Sequence, residues 1–248
     1  MQRYFLKNEQ FEGGQVWITG EDARHIGRVM RMKAGDTVIV CNEKGECFSS
    51  RLEEIGEEMI TSQLIAALEK KSELPVEVTI AQGLPKGDKL ELVIQKGTEV
   101  GAAAFLPVEM SRSVARLDEK KSAKKMQRWQ KIAKEAAEQS HRQKVPRVLA
   151  PINLKGLLSA AKNYDIRLFA YEETAKSGEM AQLKKTLATV APHQRILFLV
   201  GPEGGISPEE ADSLLAAGFL PCALGPRILR TETAPLYILS AISYALEL

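Results

Sequence analysis

The sequence predicts a two-part molecule of α/β class: a small antiparallel β-barrel, then a larger α/β unit built on a parallel sheet. Three observations carry that expectation. Between residues 15 and 68, short β-favouring runs are separated by glycine-containing turns. After Pro75 the rhythm changes to strand-like runs alternating with helical stretches, as in parallel strands joined by crossover helices. The run 196–200 is apolar at every position, as suits a strand covered on both faces. A chain of 248 residues fits one large or two unequal domains and is long enough to bury a core. The polar segment ending at Pro75 looks like a linker, so the domains are expected over 1–71 and 74–248.

In the first part the strand runs are 16–18, 37–41, 47–52 and 59–68, turning at Gly45 and Gly56. One helix interrupts them over 21–32, with Thr19 as its expected N-cap, Asp22 three residues on, and Gly35 past its end. In the second part, a strand over 76–81 leads to a helix over 87–100 that stops at Gly101. A strand over 104–108, a long basic helix over 118–139, a helix near 154–162, a strand over 166–171 and a helix near 179–190 follow, before the apolar strand 196–200. Beyond it come a helix over 207–217 stopped by Gly218, a strand over 219–224, and a last helix over 234–246. The helix start at 207 is sharply defined: Ser207 suits the N-cap, Pro208 the first helical position and Glu210 the reciprocal capping position.

Composition narrows the class. Hydrophobic residues make up 44% and charged residues 27%, with 18 Gly and 11 Pro, which argues against disorder, collagen and coiled coil. Apolar runs such as 102–106 and 196–200 fall far short of the roughly 20 residues a membrane-spanning helix needs. The N-terminal apolar run breaks after Leu6, leaving no secretory core, so a cytoplasmic location is expected. Cys41, Cys47 and Cys222 are odd in number, share no CxxC spacing and lack a histidine partner, which favours buried or incidental thiols over a disulfide scaffold or a metal site.

The net charge of +2 hides an uneven distribution. Residues 1–71 carry 10 basic and 12 acidic side chains, whereas Arg112 to Arg147 holds 12 Lys and Arg against 4 Asp and Glu. Within it stand Lys124, Lys125, Arg128 and Arg142. Such a stretch suits a polyanion, because each cation set near a phosphate releases condensed counterions; it equally suits a solvated helix face.

Two stretches point to chemistry. Val200, Gly201, Pro202, Glu203, Gly204, Gly205 and Ile206 join the apolar strand to the capped helix, at the sheet edge where α/β proteins bind ligands. Gly204 and Gly205 allow positive φ and close approach of a ligand to the backbone, although a tight loop needing glycine for geometry alone reads the same way. Neither GxGxxG nor GxxxxGK[ST] occurs there. The second stretch, Leu224, Gly225, Pro226, Arg227, Ile228, Leu229, Arg230, Thr231, Glu232 and Thr233, sets two permanent cations among apolar residues. Guanidinium groups there suit a phosphate or a base carbonyl, or an ion pair between Arg230 and Glu232 or Glu203.

Together these two loops resemble the second and third motifs of the SPOUT class of S-adenosylmethionine-dependent RNA methyltransferases, and more narrowly the RsmE family, which methylates N3 of a uridine in 16S ribosomal RNA. The segments His25 to Met32, Gln95 to Gly101 and Glu138 to Arg142 resemble the same family, so the likeness covers nearly the whole chain. It implies a PUA-like barrel for RNA contact and a C-terminal domain with a deep trefoil knot; chain-topology rules alone would draw an unknotted doubly wound sheet. It also implies a homodimer acting on 16S rRNA or the small ribosomal subunit, with no metal. The cofactor S-adenosyl-L-methionine is then expected on Val200, Gly201, Gly204, Gly205, Leu224, Gly225, Ile228 and Leu229. Expected RNA contacts are Arg24, Arg28, Arg31, Lys124, Lys125, Arg128, Arg142 and Arg227. Arg230 is the candidate for stabilising charge on the target base, with Glu232 and Glu203 as candidate proton acceptors, a role that needs burial to raise a carboxyl pKa. A ribose 2′-O methyltransferase of the same class and a non-catalytic ribosome-binding protein are the competing readings.

Overall fold

The computed structural model describes residues 1–69, 72–114, 119–176 and 181–248. Lys70 and Lys71 of the expected linker, Arg116, Asp118, the side chains of Lys120 and Lys121, and residues 179–180 of an expected helix lie outside the described residues. The chain divides into two compact units, one of Met1–Glu73 with Ala137–Val145, the other of Leu74–Ala136 with Pro146–Leu248.

The first unit is a six-stranded sheet curled into a half-barrel. Its strands are β1 (Arg3–Phe5), β2 (Phe11–Glu12), β3 (Gln15–Thr19), β4 (Thr37–Cys41), β5 (Cys47–Ile55) and β6 (Met59–Ala67), in the order β1-β4-β5-β6-β3-β2. All pairs are antiparallel except β1 with β4, which is parallel, so the all-antiparallel expectation is corrected at the short strand the sequence pattern did not reveal. Alternation puts Val16, Ile18, Val38, Val40, Leu52 and Ile60 into one core with Tyr4 and Ile26.

Two further expectations change here. Thr19 occupies the N-cap position as expected, its backbone still paired with Met59 at the end of β3, but its side chain makes no cap bond; the helix α1 (Gly20–Arg24) starts at Gly20 and runs into a π-helical turn over His25–Val29, well short of the expected end at Met32. Cys41 and Cys47 are joined in a disulfide. They stand opposite each other where β4 and β5 meet, brought together by a turn in which Asn42 Oδ1 accepts the amides of Lys44 and Glu46 at 3.0 Å each. Cys222 is buried and forms no disulfide.

Arg142 is also corrected as an RNA contact. It is 3% exposed, its guanidinium pairs with the Glu73 carboxylate, and Glu73 Oε1 further accepts the amides of Gln143 and Lys144 at 2.8 and 3.2 Å. Its carbonyl accepts the buried Arg3 guanidinium at 2.6 Å. A cation so engaged holds its own segment in place and presents no charge to solvent.

The second unit carries an all-parallel sheet formed by β7 (Glu77–Gly83), β8 (Ala104–Glu109), β9 (Arg147–Val148), β10 (Ile152–Asn153), β11 (Ile166–Ala170), β12 (Arg195–Val200) and β13 (Leu220–Cys222). The order is β10-β8-β7-β12-β11-β13, with β9 also on β8. Helices α2 (Lys89–Glu99), α3 (Glu119–Gln139), α4 (Leu154–Ala160), α5 (Glu172–Lys176), α6 (Gln182–Leu187), α7 (Pro208–Ala216) and α8 (Ala234–Glu247) complete the elements. β7, β8 and β12 are buried along almost their whole length, which is why they read as apolar runs without alternation. The basic helix α3 is amphipathic: Trp129, Ala133 and Ala136 are buried, while Lys124, Lys125 and Arg128 are exposed.

From β7 the chain proceeds toward β8, and from β12 it proceeds the other way toward β13, so the order reverses between these two neighbours. That is where an open parallel sheet leaves a crevice beyond its carboxyl ends. The register pairs Gln82 with Val200, so both strands end at one level. A Cβ on Gly83 would stand 2.5 Å from Pro202 Cδ, so only glycine lets the two outgoing loops touch.

The predicted capping box at α7 is present: Ser207 Oγ accepts the Glu210 amide at 3.2 Å, and Glu210 Oε2 accepts the Ser207 amide at 3.0 Å. Glu210 is 6% exposed, and its Oε1 also accepts the Ser111 amide at 2.8 Å, tying the loop after β8 to the loop after β12. Glu210→Ala takes the acceptor from the amide of the buried Ser207 and from that of the exposed Ser111, and should cost roughly 1–2 kcal/mol in urea unfolding. Unchanged stability would deny the carboxylate this bracing role.

Candidate active site

Four loops leave the carboxyl edge of the parallel sheet, after β7, β8, β12 and β13, and side chains the sequence did not single out tie them together. Gln82 is fully buried at the end of β7. Its Nε2 donates to Thr231 Oγ1 at 2.8 Å and lies 3.1 and 3.4 Å from the carbonyl oxygens of Gly83 and Gly201. The Thr231 hydroxyl in turn donates to the Gly201 carbonyl at 2.6 Å. The glycine-rich loop and the arginine-bearing loop are therefore pinned to the same strand end, with Gln82 Oε1 left as a buried acceptor that has no donor among the described residues.

The expected cofactor residues divide by burial. Val200 and Gly201 are buried; Gly205, Leu224, Gly225 and Leu229 are half-buried; Ile228 is 83% exposed. Gly205 (φ 71°) and Gly225 (φ 89°) adopt the left-handed conformation, and the space a Cβ would take is open at Gly205 and reaches only Tyr237 Oη, at 3.8 Å, at Gly225. A flat ligand can lie against such backbone. Gly204 needs correcting: its φ is not positive, and its glycine is required because a Cβ would meet Arg112 Cβ at 2.9 Å. Arg112 also donates to the Gly204 carbonyl at 3.0 Å, so the loop after β8 holds the glycine turn from outside.

The charged residues pair differently from the sequence expectation. Neither Glu203 nor Glu232 is held by Arg230; both are held by Lys89 in the first turn of α2, at 3.0 and 3.3 Å. Glu203 Oε1 also accepts the Lys86 amide at 3.1 Å. Burial, the largest single influence on Glu203, pushes its pKa up, but the Lys89 hydrogen bond and backbone amides together outweigh it and hold the carboxyl below its ordinary value. A carboxyl held low is ionised at neutral pH and a correspondingly weaker proton acceptor than the burial-raised one the sequence reading expects. The Lys89 ammonium is raised in turn, chiefly by its hydrogen bond to Glu203. One signal could have exposed Lys89: a lysine in a helix's first turn opposes the macrodipole, so something local must compensate.

Arg227 and Arg230 are exposed, so this chain alone does not supply the water-poor surroundings expected for Arg230. Its carbonyl accepts the amides of Thr233 and Ala234 at 2.9 and 3.1 Å, which fixes the backbone at the start of α8 while leaving the guanidinium outward. Arg24, Arg28 and Arg31 are exposed on the first unit. Among the described residues no group of His, Cys, Asp and Glu is arranged to hold a metal, and no helix is long and apolar enough to cross a membrane.

Because Glu203 titrates below its ordinary range when folded, its bond to Lys89 stabilises the fold above the unfolded carboxyl pKa and loses that effect as pH falls through the folded value. Lys89→Met should therefore destabilise the protein at pH 7, with the gap to wild type narrowing below about pH 4 in denaturant titrations. A gap constant from pH 7 to pH 3 would contradict the pairing.

Residues 72–243 match the family model of the RNA methyltransferase domain, and residues 18–65 match that of the RNA methyltransferase PUA domain. The chain is 47% identical to the ribosomal RNA small subunit methyltransferase E of Bacillus subtilis (strain 168), covering 100% of this chain and 98% of that one. Among solved structures it is similar to a hypothetical protein (TM-score 0.92, 44% identity, 99% of both chains). It is also similar to the Neisseria gonorrhoeae ribosomal RNA small subunit methyltransferase E bound to S-adenosyl methionine (TM-score 0.84, 29% identity, 98% of this chain and 97% of that one). With a family model matched along most of its length and a relative so close over all of it, this chain belongs to the ribosomal RNA small subunit methyltransferase E family, RsmE.

Proposed function

We propose that this chain is an S-adenosylmethionine-dependent methyltransferase that methylates N3 of a uridine in 16S rRNA. The observation that carries it is the joining of the glycine-rich loop and the arginine-bearing loop at the sheet's reversal point by Gln82 and Thr231. The residues present fit the cofactor: Gly205 and Gly225 leave their Cβ positions open, and Leu224 and Leu229 offer half-buried apolar surface. The Neisseria relative crystallised with S-adenosyl methionine supports the same choice.

When bound, the cofactor supplies a methyl group already activated by its sulfonium. The chain's own task is alignment and charge control. The backbone of Gly201 to Gly205 and of Leu224 to Leu229 would hold the cofactor. N3 of uridine carries a proton at neutral pH, and charge released at N3 spreads onto the flanking carbonyl oxygens. Arg230, exposed and with no ion-pair partner among the described residues, is the candidate to meet that charge. Glu232 and Glu203, both held by Lys89, are the carboxylate candidates for the proton, and Glu232 is the less exposed of the two, its side chain at 15% against 29%. Lys124, Lys125, Arg128, Arg24, Arg28, Arg31 and Arg227 present the cations that would follow the RNA backbone, naked or in the small ribosomal subunit.

A homodimer, a cytoplasmic location and the deep trefoil knot belong to the same proposal. The dimer is supported by α8, where Tyr237 and Tyr244 are 42% and 74% exposed on a helix whose other side buries Ile238, Leu239 and Ile242. A second copy there would also bring Arg230 drier surroundings. The knot is supported by β12, which enters between β7 and β11 later in the chain than either. A crystallographic chain trace that closes without threading a loop would remove it.

Nucleoside digestion and mass spectrometry of methylated small-subunit RNA should identify 3-methyluridine; a 2′-O-methyl nucleoside would favour the ribose-modifying alternative. Arg230→Ala should lower turnover more than about tenfold, roughly 1.4 kcal/mol of barrier, with cofactor affinity nearly intact in calorimetry. Equal loss of cofactor binding would reassign Arg230 to the cofactor pocket. Lys124→Glu with Lys125→Glu should flatten the salt dependence of RNA binding, and an unchanged slope would return α3 to a merely solvated face. Light scattering should report a dimer, and a monomeric mass in an active preparation would exclude it.

A further inference from the structure

One ammonium serves two carboxylates on two different loops of the site. Lys89 Nζ lies 3.0 Å from Glu203 on the glycine-rich loop and 3.3 Å from Glu232 on the arginine-bearing loop. Glu203 has a second donor, the Lys86 amide at 3.1 Å. Glu232 is more dependent: its Oε2 is buried without a hydrogen-bond partner among the described residues, and Lys89 is the cation that compensates it. Arg230 stands two residues before Glu232, exposed and without an ion-pair partner among the described residues. The Arg230 carbonyl accepts the Thr233 amide at 2.9 Å, so both side chains leave the same turn.

Chain proximity favours a different pairing. A guanidinium and a carboxylate two residues apart on one turn are close enough to meet, and a buried carboxylate oxygen without a cation is costly. We propose that Lys89 is a positioning residue for methyl transfer: by occupying Glu203 and Glu232 together, it keeps Arg230 free for the charge that develops on the target base. This rests on the uridine-methylating function and on the role given there to Arg230. With Lys89 gone, two carboxylates compete for the guanidinium before a base arrives. An Arg230 drawn onto Glu232 must give up that ion pair to stabilise the transition state, so the advantage it offers the reacting base shrinks.

A double-mutant cycle tests this, with whichever RNA the wild-type protein methylates and at saturating S-adenosylmethionine. Lys89→Met should lower kcat/KM for RNA at least about fivefold. In an Arg230→Ala background the same substitution should change kcat/KM less than about twofold, because the residue it acts through is gone. Lys89→Arg, which keeps a cation in place, should retain most of the rate. Crystals of Lys89→Met should show the Arg230 guanidinium within about 4 Å of the Glu232 carboxylate, a new pairing that a lysine with a merely structural role would not prevent. Where Lys89→Met fails to fold, Lys89→Gln carries the same cycle and the same crystals. Equal losses in the two backgrounds overturn the proposal, as does a Glu232 that turns to another cation in the variant crystals. A wild-type protein that methylates no RNA would sink the functional reading, and the crystals would still decide whether Lys89 keeps Glu232 from Arg230.

Discussion

The candidate site depends on one buried polar node, the amide of Gln82 with the hydroxyl of Thr231 and the carbonyl of Gly201. Each of these groups has left water, and each costs roughly 1–3 kcal/mol if it lacks a partner. Satisfying them together forces the loop after β13 across to the ends of β7 and β12, although β11 separates β13 from β12 in the sheet. The glycines follow from that convergence. Gly83 admits Pro202, Gly204 admits Arg112, and Gly205 turns with positive φ.

Around the node the charges fall into two groups with separate uses. Lys89 is committed to Glu203 and Glu232, and Arg112 to the glycine turn, so these cations hold loops in place. Arg230 and Arg227 stay outward and uncommitted, available to a ligand's negative charge. Displacement at an activated methyl group needs alignment more than covalent participation, and a site whose ionic bonds brace its backbone is built for alignment. The buried Glu210 does the same work from the far side, linking the capped helix α7 to the loop after β8.

The first unit shows the same economy with different means. Its sheet closes the short β4–β5 hairpin with the Cys41–Cys47 disulfide, and Glu73 gathers Arg142 and two backbone amides, so that Ala137–Val145 clusters with it despite lying far along the chain. A buried ion pair of this kind is costly to break, because either partner alone would be an uncompensated charge. Among the cations this unit exposes, Arg24, Arg28 and Arg31 lie in or next to the π-helical turn His25–Val29, and Arg31, just past it, has φ 52°.

What the sequence determined by itself is whatever short-range physics writes into it. Apolar runs gave β7, β8, β11 and β12 within a few residues of their ends, and Ser207, Pro208 and Glu210 marked the start of α7. Glycine and arginine patterns singled out the two loops that meet at the sheet edge. What the tertiary structure decided involves partners distant in sequence, or positions where two local signals compete. Thr19 sits at the cap position without using its hydroxyl as a cap; Arg142 looks like a phosphate contact and is buried on Glu73; Cys41 and Cys47 look unpaired until the hairpin register sets them face to face. Gln82 carries no sequence signature of its role, and Lys89 only that of a cation opposing a helix dipole, since their partners lie more than 100 residues away and only the stacking of parallel strands brings the loops within hydrogen-bond reach. Local propensity acts over a few residues, whereas a binding site is assembled by packing that joins the ends of separate strands.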